Sequence, residues 1–197
     1  MKSLKITLAA AGLALVCAPV TAQDLGLGSD SDQFIEAVKK SDGDKAISLL
    51  QSHPNIVDTK DGSGDTGLII AIGRSDANWT GFLLNKGADP NLSGSKGDTP
   101  LIEAARVGFN DAAGWLLGMG AKVDDTNRMG ETALIVAVQR RNTPLVKLLL
   151  EHGANPDKAD AAAGYSARDY ATRDARARDI LKLIEDKKPK TGSASAK

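Results

Sequence analysis

The chain has 197 residues, 25 of them basic and 25 acidic, and only 4% of its residues are aromatic. That charge balance excludes an electrostatic nucleic-acid binder and a polybasic membrane-surface protein, and the scarcity of rings means a core made of Leu, Ile, Val and Ala. A single cysteine, Cys17, and two histidines, His53 and His152, offer no donor set for a structural zinc or a disulfide, so no metal or other cofactor is expected.

The N-terminus reads as an export leader. Lys2 and Lys5 precede an apolar run from Ile6 to Val16 broken only by Thr7, and Val20-Thr21-Ala22 offers a cleavage site over residues 1–22. The run is shorter than the roughly 20 apolar residues of a membrane-spanning helix. Cleavage after Ala22 leaves 175 residues with 23 basic and 25 acidic side chains, a size suited to one domain that is not inserted in a membrane. The expected destination is the periplasm. An alternative makes Cys17 a lipid attachment point and the protein a lipid-anchored structural envelope component; the bulky Val16 before it argues against that pattern. Residues 23–31 form a short linker.

From residue 32 the chain falls into related phrases. The first, "FIEAVKKSDGDKAISLLQSHPNIVDTKD", has two helical periodicities but no Thr-Pro start and no glycine after its second helix. Three fuller phrases follow: "SGDTGLIIAIGRSDANWTGFLLNKGADP", "KGDTPLIEAARVGFNDAAGWLLGMGAKV" and "MGETALIVAVQRRNTPLVKLLLEHGANP". Thr66, Thr99 and Thr132 are 33 apart, as are Leu68, Leu101 and Leu134, and Gly87, Gly120 and Gly153. A fixed step of this size marks stacked supersecondary units. Each unit predicts a helix starting at the Thr N-cap, a second helix, and a glycine C-cap. Thr99 has no capping box, since Ile102 stands where an acid would be. Leu101, Ala104 and Ala105 share one face of the first helix, and Ala112, Ala113, Leu116 and Leu117 one face of the second. Trp115 aligns with Phe82 and Leu148 and is expected in the core. Trp79 aligns with Ala112 and Leu145 and is also expected there, with an exposed contact as the alternative.

The last phrase, "GYSARDYATRDARARDILKLIEDK", reads as a terminal unit, with Ser166 at 34 rather than 33 residues from Thr132. The extra residue falls in the turn from Lys158 to Ala163, and the first turn, from Leu50 to Thr66, is likewise one residue longer than its successor. Residues 187–197 read as a disordered, basic, low-complexity tail. One such unit cannot bury enough apolar surface to offset the entropy of ordering itself, so neighbours must cover both its faces.

"G-x-T-P-L-x-x-A-A" with "L-L-x-x-G-A-x" downstream resembles the ankyrin repeat. The resemblance spans roughly residues 32–186 and implies an all-α ankyrin-repeat solenoid of about five helix-pair units, three full and one degenerate at each end, with projecting turns. It departs from the family at Ile69, Ile102 and Ile135, which stand where the family has a histidine in an inter-repeat polar network. Apolar packing is expected to replace that link. The resemblance also implies a non-catalytic protein that binds an unidentified protein partner, as a monomer, in a concave groove lined by the turns and first helices. Carried onto this chain, the finger positions are Ser63, Asp65, Ser95, Lys96, Asp98, Arg128, Met129, Glu131 and Tyr165, and the helix positions Arg74, Arg106, Gln139, Arg140 and Arg173. Adaptor, stabiliser and inhibitor all remain open as roles.

Chemistry has little support. His53 and His152 fall at related helix ends in different units, where a basic group suits the negative end of the helix dipole. "DGSGDTG" fails the calcium-loop test, since its sixth and twelfth positions are Thr66 and Ile72. "GSKGDT" lacks the spacing of a phosphate loop.

Overall fold

The computed structural model describes residues 28–187; the leader, Cys17 and residues 188–197 of the tail lie outside them. Among the described residues ten α-helices form five pairs: α1 (Asp30–Lys40) and α2 (Gly43–Ser52), α3 (Gly67–Gly73) and α4 (Ala77–Asn85), α5 (Pro100–Val107) and α6 (Asn110–Gly118), α7 (Ala133–Gln139) and α8 (Thr143–Glu151), α9 (Ala167–Arg173) and α10 (Arg178–Asp186). The first helices stack in the row α1–α3–α5–α7–α9, and α4, α6, α8 and α10 form a second row against it. No β-strand forms among the described residues; three isolated antiparallel bridges close the turns at Lys60–Thr66, Thr126–Thr132 and Ala159–Ser166.

The inner helices start where the threonines put them. The Thr66, Thr99 and Thr132 hydroxyls accept from the amides of Ile69, Ile102 and Ile135 at 3.2, 3.3 and 3.2 Å, satisfying one orphan donor each. Only the terminal units add a capping box, Ser29 with Asp32 and Ser166 with Asp169. Short side chains then let the inner helices approach: Ala71, Ala104, Ala105 and Ala137 are fully buried beside Leu68, Leu101 and Leu134. The apolar interior is one cluster running from Phe34 to Ile184.

Both length irregularities have a place. The longer first turn holds a single turn of 3-10 helix, Pro54–Asp58, packed on α1, α2 and α3. The longer last turn is absorbed by Asp160, whose carboxylate accepts from the amides of Ala163 and Gly164 at 2.7 and 3.0 Å.

A polar ladder runs beside the second helices. Asp58, Asn91 and Asp124 accept from the amides of Asp89, Lys122 and Asn155 in the next unit, at 2.9, 2.8 and 2.9 Å. Asp157 is the next copy in register, and it turns instead to Arg168, at 2.6 and 3.3 Å. Satisfying the last copy internally is what a capping unit must do.

Trp79 is buried on α4, but Trp115 is 41% exposed on α6, contrary to the expectation that it lies in the core. Ala112, Ala113, Leu116 and Leu117 occupy the packed face, and Trp115, one residue and about 100° before Leu116, falls off it. Phe82 and Leu148, its equivalents, are only partly buried as well. The Trp115 ring stacks edge-on against Phe109, with centroids 6.0 Å apart.

Gly130 and Gly153 separate two costs of a side chain. Both have positive φ, +77° and +89°, but a Cβ on Gly153 meets open space, while one on Gly130 collides with the Ala161 nitrogen. That nitrogen donates to Met129 O at 2.8 Å and joins the last two fingers. Gly153→Ala is expected to cost about 1–2 kcal/mol from backbone strain. Gly130→Ala is expected to cost about 1 kcal/mol more, because the inter-finger hydrogen bond goes too. Urea denaturation of the two variants measures the difference; equal losses would contradict this account of Gly130.

Candidate functional site: the finger face

The face formed by the turns and the inner helices carries most of the expected contact residues, and their charges divide in two. The acids point inward. Asp98 is 5% exposed and takes a bidentate pair from Arg106, Nη2 at 2.9 Å and Nε at 3.1 Å. Asn127, in the next finger, donates from Nδ2 to both Asp98 Oδ1 and Glu131 Oε2 at 2.8 Å, while its Oδ1 accepts from the amides of Met129 and Glu131 at 3.0 Å. Arg106 Nη2 also stands 3.6 Å from Glu131 Oε2. One guanidinium and one amide thus tie two successive fingers together.

The other fingers are tied similarly. Asp65 Oδ1 accepts from the Ser95 amide across the gap at 2.7 Å. Asp61 closes its own finger through the amides of Ser63 and Asp65 and is reached from α1 by Lys39 at 3.0 Å. At the far end the Tyr170 hydroxyl donates to Asp160 at 2.6 Å. Arg74 reaches back to α1 and donates to the carbonyls of Lys39 and Val38 at 2.8 and 3.0 Å, adding a side-chain cap at the end of that helix.

Titration follows this bonding. Burial works against the charges of Asp61 and Asp160. Hydrogen bonds outweigh it, from Ser63 and the Asp65 amide for Asp61, and from Tyr170 with the Ala163 and Gly164 amides for Asp160, so both carboxyls lie below the usual range. Arg106 also loses by burial, yet Asp98, Glu131 and Glu103 hold its guanidinium above its ordinary value. Glu103 is the exception: burial, then the nearby Asp98 charge, pushes its carboxyl up against the pull of Arg106.

Apart from Arg106 and Arg74, the cations of the set are exposed. Lys96 and Arg128 at the finger tips and Arg140 at the end of α7 are exposed, and none forms an ion pair among the described residues. Met129 beside them is 48% exposed. The Arg173 guanidinium lies 3.9 Å over the Tyr165 ring, which packs edge-on against Tyr170 with centroids 5.6 Å apart.

Residues 34–127 and 110–192 each match the family model of ankyrin repeats in three copies. The chain belongs to the ankyrin-repeat family. A search of the curated proteins found no match.

Ankyrin repeats are generally protein–protein interaction modules, and the family is typically non-catalytic. In this ankyrin-repeat chain the expected contact set splits. Lys96, Arg128, Met129 and Arg140 are exposed and form no ion pair among the described residues, whereas Asp98, Glu131 and Arg106 form an internal clasp and Arg74 caps a neighbouring helix. Tyr165 and Arg173 are brought together, and Gln139 bears on the Tyr170 hydroxyl. The expectation that apolar packing replaces the family's polar link is corrected in part. Ile69, Ile102 and Ile135 are buried as foreseen, but polar links between repeats persist, moved to the finger bases.

The sequence reading missed Asn127, whose bridging role is encoded only in its position, and the ladder at Asp58, Asn91 and Asp124, whose signal was present in their 33-residue step. His53 and His152 occupy exposed C-cap positions, with His53 Nδ1 3.2 Å from Asp30. Among the described residues no group of three or more His, Cys, Asp or Glu side chains is arranged to hold a metal. On the opposite side an open groove of about 560 Å³ runs between α4 and α6, lined by Gly81, Gly114, Gly118, Trp115 and Met119.

Arg106→Ala is expected to lower stability by about 2–3 kcal/mol at neutral pH, because it strands Asp98 and Glu131 in a buried clasp. Glu103→Gln should leave stability unchanged or raise it, since it removes a charge that burial and Asp98 disfavour. Urea titration of both variants checks the pair, and the reverse ranking would overturn the assignment of the clasp.

Proposed function

We propose that this ankyrin-repeat protein acts by non-covalent capture of another protein on its finger face, in the periplasm once the leader is removed. The observation that carries the reading is the division of the face. Acids and Arg106 are spent on holding fingers together, while Lys96, Arg128, Met129 and Arg140 remain exposed on a frame that those bonds make rigid. A preformed surface loses little conformational entropy on docking, which favours binding. Arginine suits the task because its planar fork pairs with carboxylates and backbone carbonyls at interfaces. The export leader and the near-neutral mature chain support the compartment and a protein rather than nucleic-acid partner.

The test places a photo-crosslinking amino acid at Met129 or at Trp115, two exposed positions on opposite faces, in protein exported in its native host. Adducts are expected at Met129 and not at Trp115. Adducts at Trp115 alone, or at neither position, would contradict the reading.

A further inference from the structure

We infer that the segment captured on the finger face is acidic and extended, and that it lies over the half of the face built by α7, α9 and the fingers that carry Lys96 and Arg128. This rests on the preceding proposal and names the chemistry of the partner. Four cations line that half: Lys96, Arg128, Arg140 and Arg173 are all exposed, and among the described residues no carboxylate lies within ion-pair distance of any of them. Most of the acids that could neutralise them are engaged elsewhere. Asp98 and Glu131 are held by Arg106 and Asn127, and Asp160 by Tyr170 with two backbone amides. Asp169 is held by the Ser166 capping box and, more weakly, by the charge of Arg173, and Asp174 pairs with Arg141 and Arg176.

The other half of the face has the opposite character. A narrow crevice between the fingers there is walled by Asp65, Asp98 and Glu103, with Lys96 the one basic residue in its lining, and burial with the Asp98 charge disfavours the charged form of the Glu103 carboxyl. A second carboxylate arriving at that end meets repulsion; arriving over Arg140 and Arg173 it meets charge of opposite sign. The face therefore selects the position of an acidic run as well as its sign.

Geometry sets the form of the segment. Arg128 packs its Cγ against Gly97 of the preceding finger, so the stem of its side chain lies at the junction of two fingers. Arg140 and Arg173 stand at the ends of adjacent inner helices, one position out of register, and the helix axes pack about 8–10 Å apart. An extended chain advances about 3.3 Å per residue, so carboxylates three positions apart match that step. Met129 and the Tyr165 ring supply apolar surface beside the charges for the residues between.

The test uses a fluorescein-labelled extended peptide of about twelve residues with Glu at every third position among Leu, Ser and Gly, a span of several units at that rise. Lysine replaces every Glu in a second peptide, and a single-stranded oligonucleotide of matching charge is the third probe. Fluorescence anisotropy is read with the mature protein, with Arg128→Glu/Arg140→Glu, with Arg128→Gln/Arg140→Gln, and with Lys45→Glu/Lys147→Glu as a control of equal net charge on the second helices.

The Glu peptide is expected to bind in preference to the other two probes. Its affinity should fall roughly tenfold or more in the Glu variant and less in the Gln variant, and stay within about twofold of wild type in the control. Circular dichroism confirms that the variants are folded, and the Gln pair keeps the comparison valid if charge reversal disturbs folding. The inference is overturned if the Glu peptide shows no binding up to about 1 mM. It is equally overturned if the Lys peptide or the oligonucleotide binds as well, or if the control loses as much as the Arg variants. A partner cross-linked at Met129 together with failure of the Glu peptide would remove this inference and leave the protein-capture reading standing.

Discussion

No helix pair in this chain can cover its own apolar surface, and everything else follows from that constraint. The inner helices α3 and α7 are seven residues long, too short to persist in water on their own. They are helical because Ala71, Ala104 and Ala137 let neighbours close in on buried Leu68, Leu101 and Leu134. The threonine caps set where each helix begins; the stacking decides that it forms at all. Apolar contact holds the units together but does not fix their register. The ladder of Asp58, Asn91 and Asp124 adds direction, since each of these accepts one defined amide of the next unit.

The fold was legible because its signals repeat. Caps, glycines and the buried leucines return every 33 residues, so chance resemblance at any one copy is corrected by the others. The finger face was legible only in outline, because a charge written in a sequence carries no direction. Arg106 and Arg140 illustrate the difference. Arg106 is seven residues after its capping Thr99, and Arg140 is eight after Thr132, an offset of about 100° around a helix. At the seventh position Arg106, Gln139 and Arg173 turn toward the fingers, where they meet Asp98, Tyr170 and Tyr165. At the eighth, Arg74 turns to the preceding helix and Arg140 to solvent. Trp115 was misplaced for the same reason, by a single residue of helical rotation.

The division of charge links stability to recognition. A carboxylate buried at a finger base would be costly alone, and Arg106 with Asn127 offsets that cost while joining two units. The acids spent there no longer neutralise Lys96, Arg128 and Arg140, which leaves the outer rim of the same fingers cationic even though the chain as a whole is balanced. Net charge therefore describes this protein poorly; the orientation of each charge describes it better. Under the proposed reading, a rim of this kind needs no mobile lid to engage a partner. It needs fingers that stay parallel, which the clasp and the Ala161–Met129 bond provide.

The most direct test of one shared interior is equilibrium urea unfolding followed at once by tryptophan fluorescence and by far-ultraviolet circular dichroism. Trp79 and Trp115 report on the second and third units, whereas dichroism reports on all ten helices. A continuous core predicts a single transition in which both signals share one midpoint and one slope. Helical signal lost in a separate step, with fluorescence still native, would show that the units do not stand or fall together.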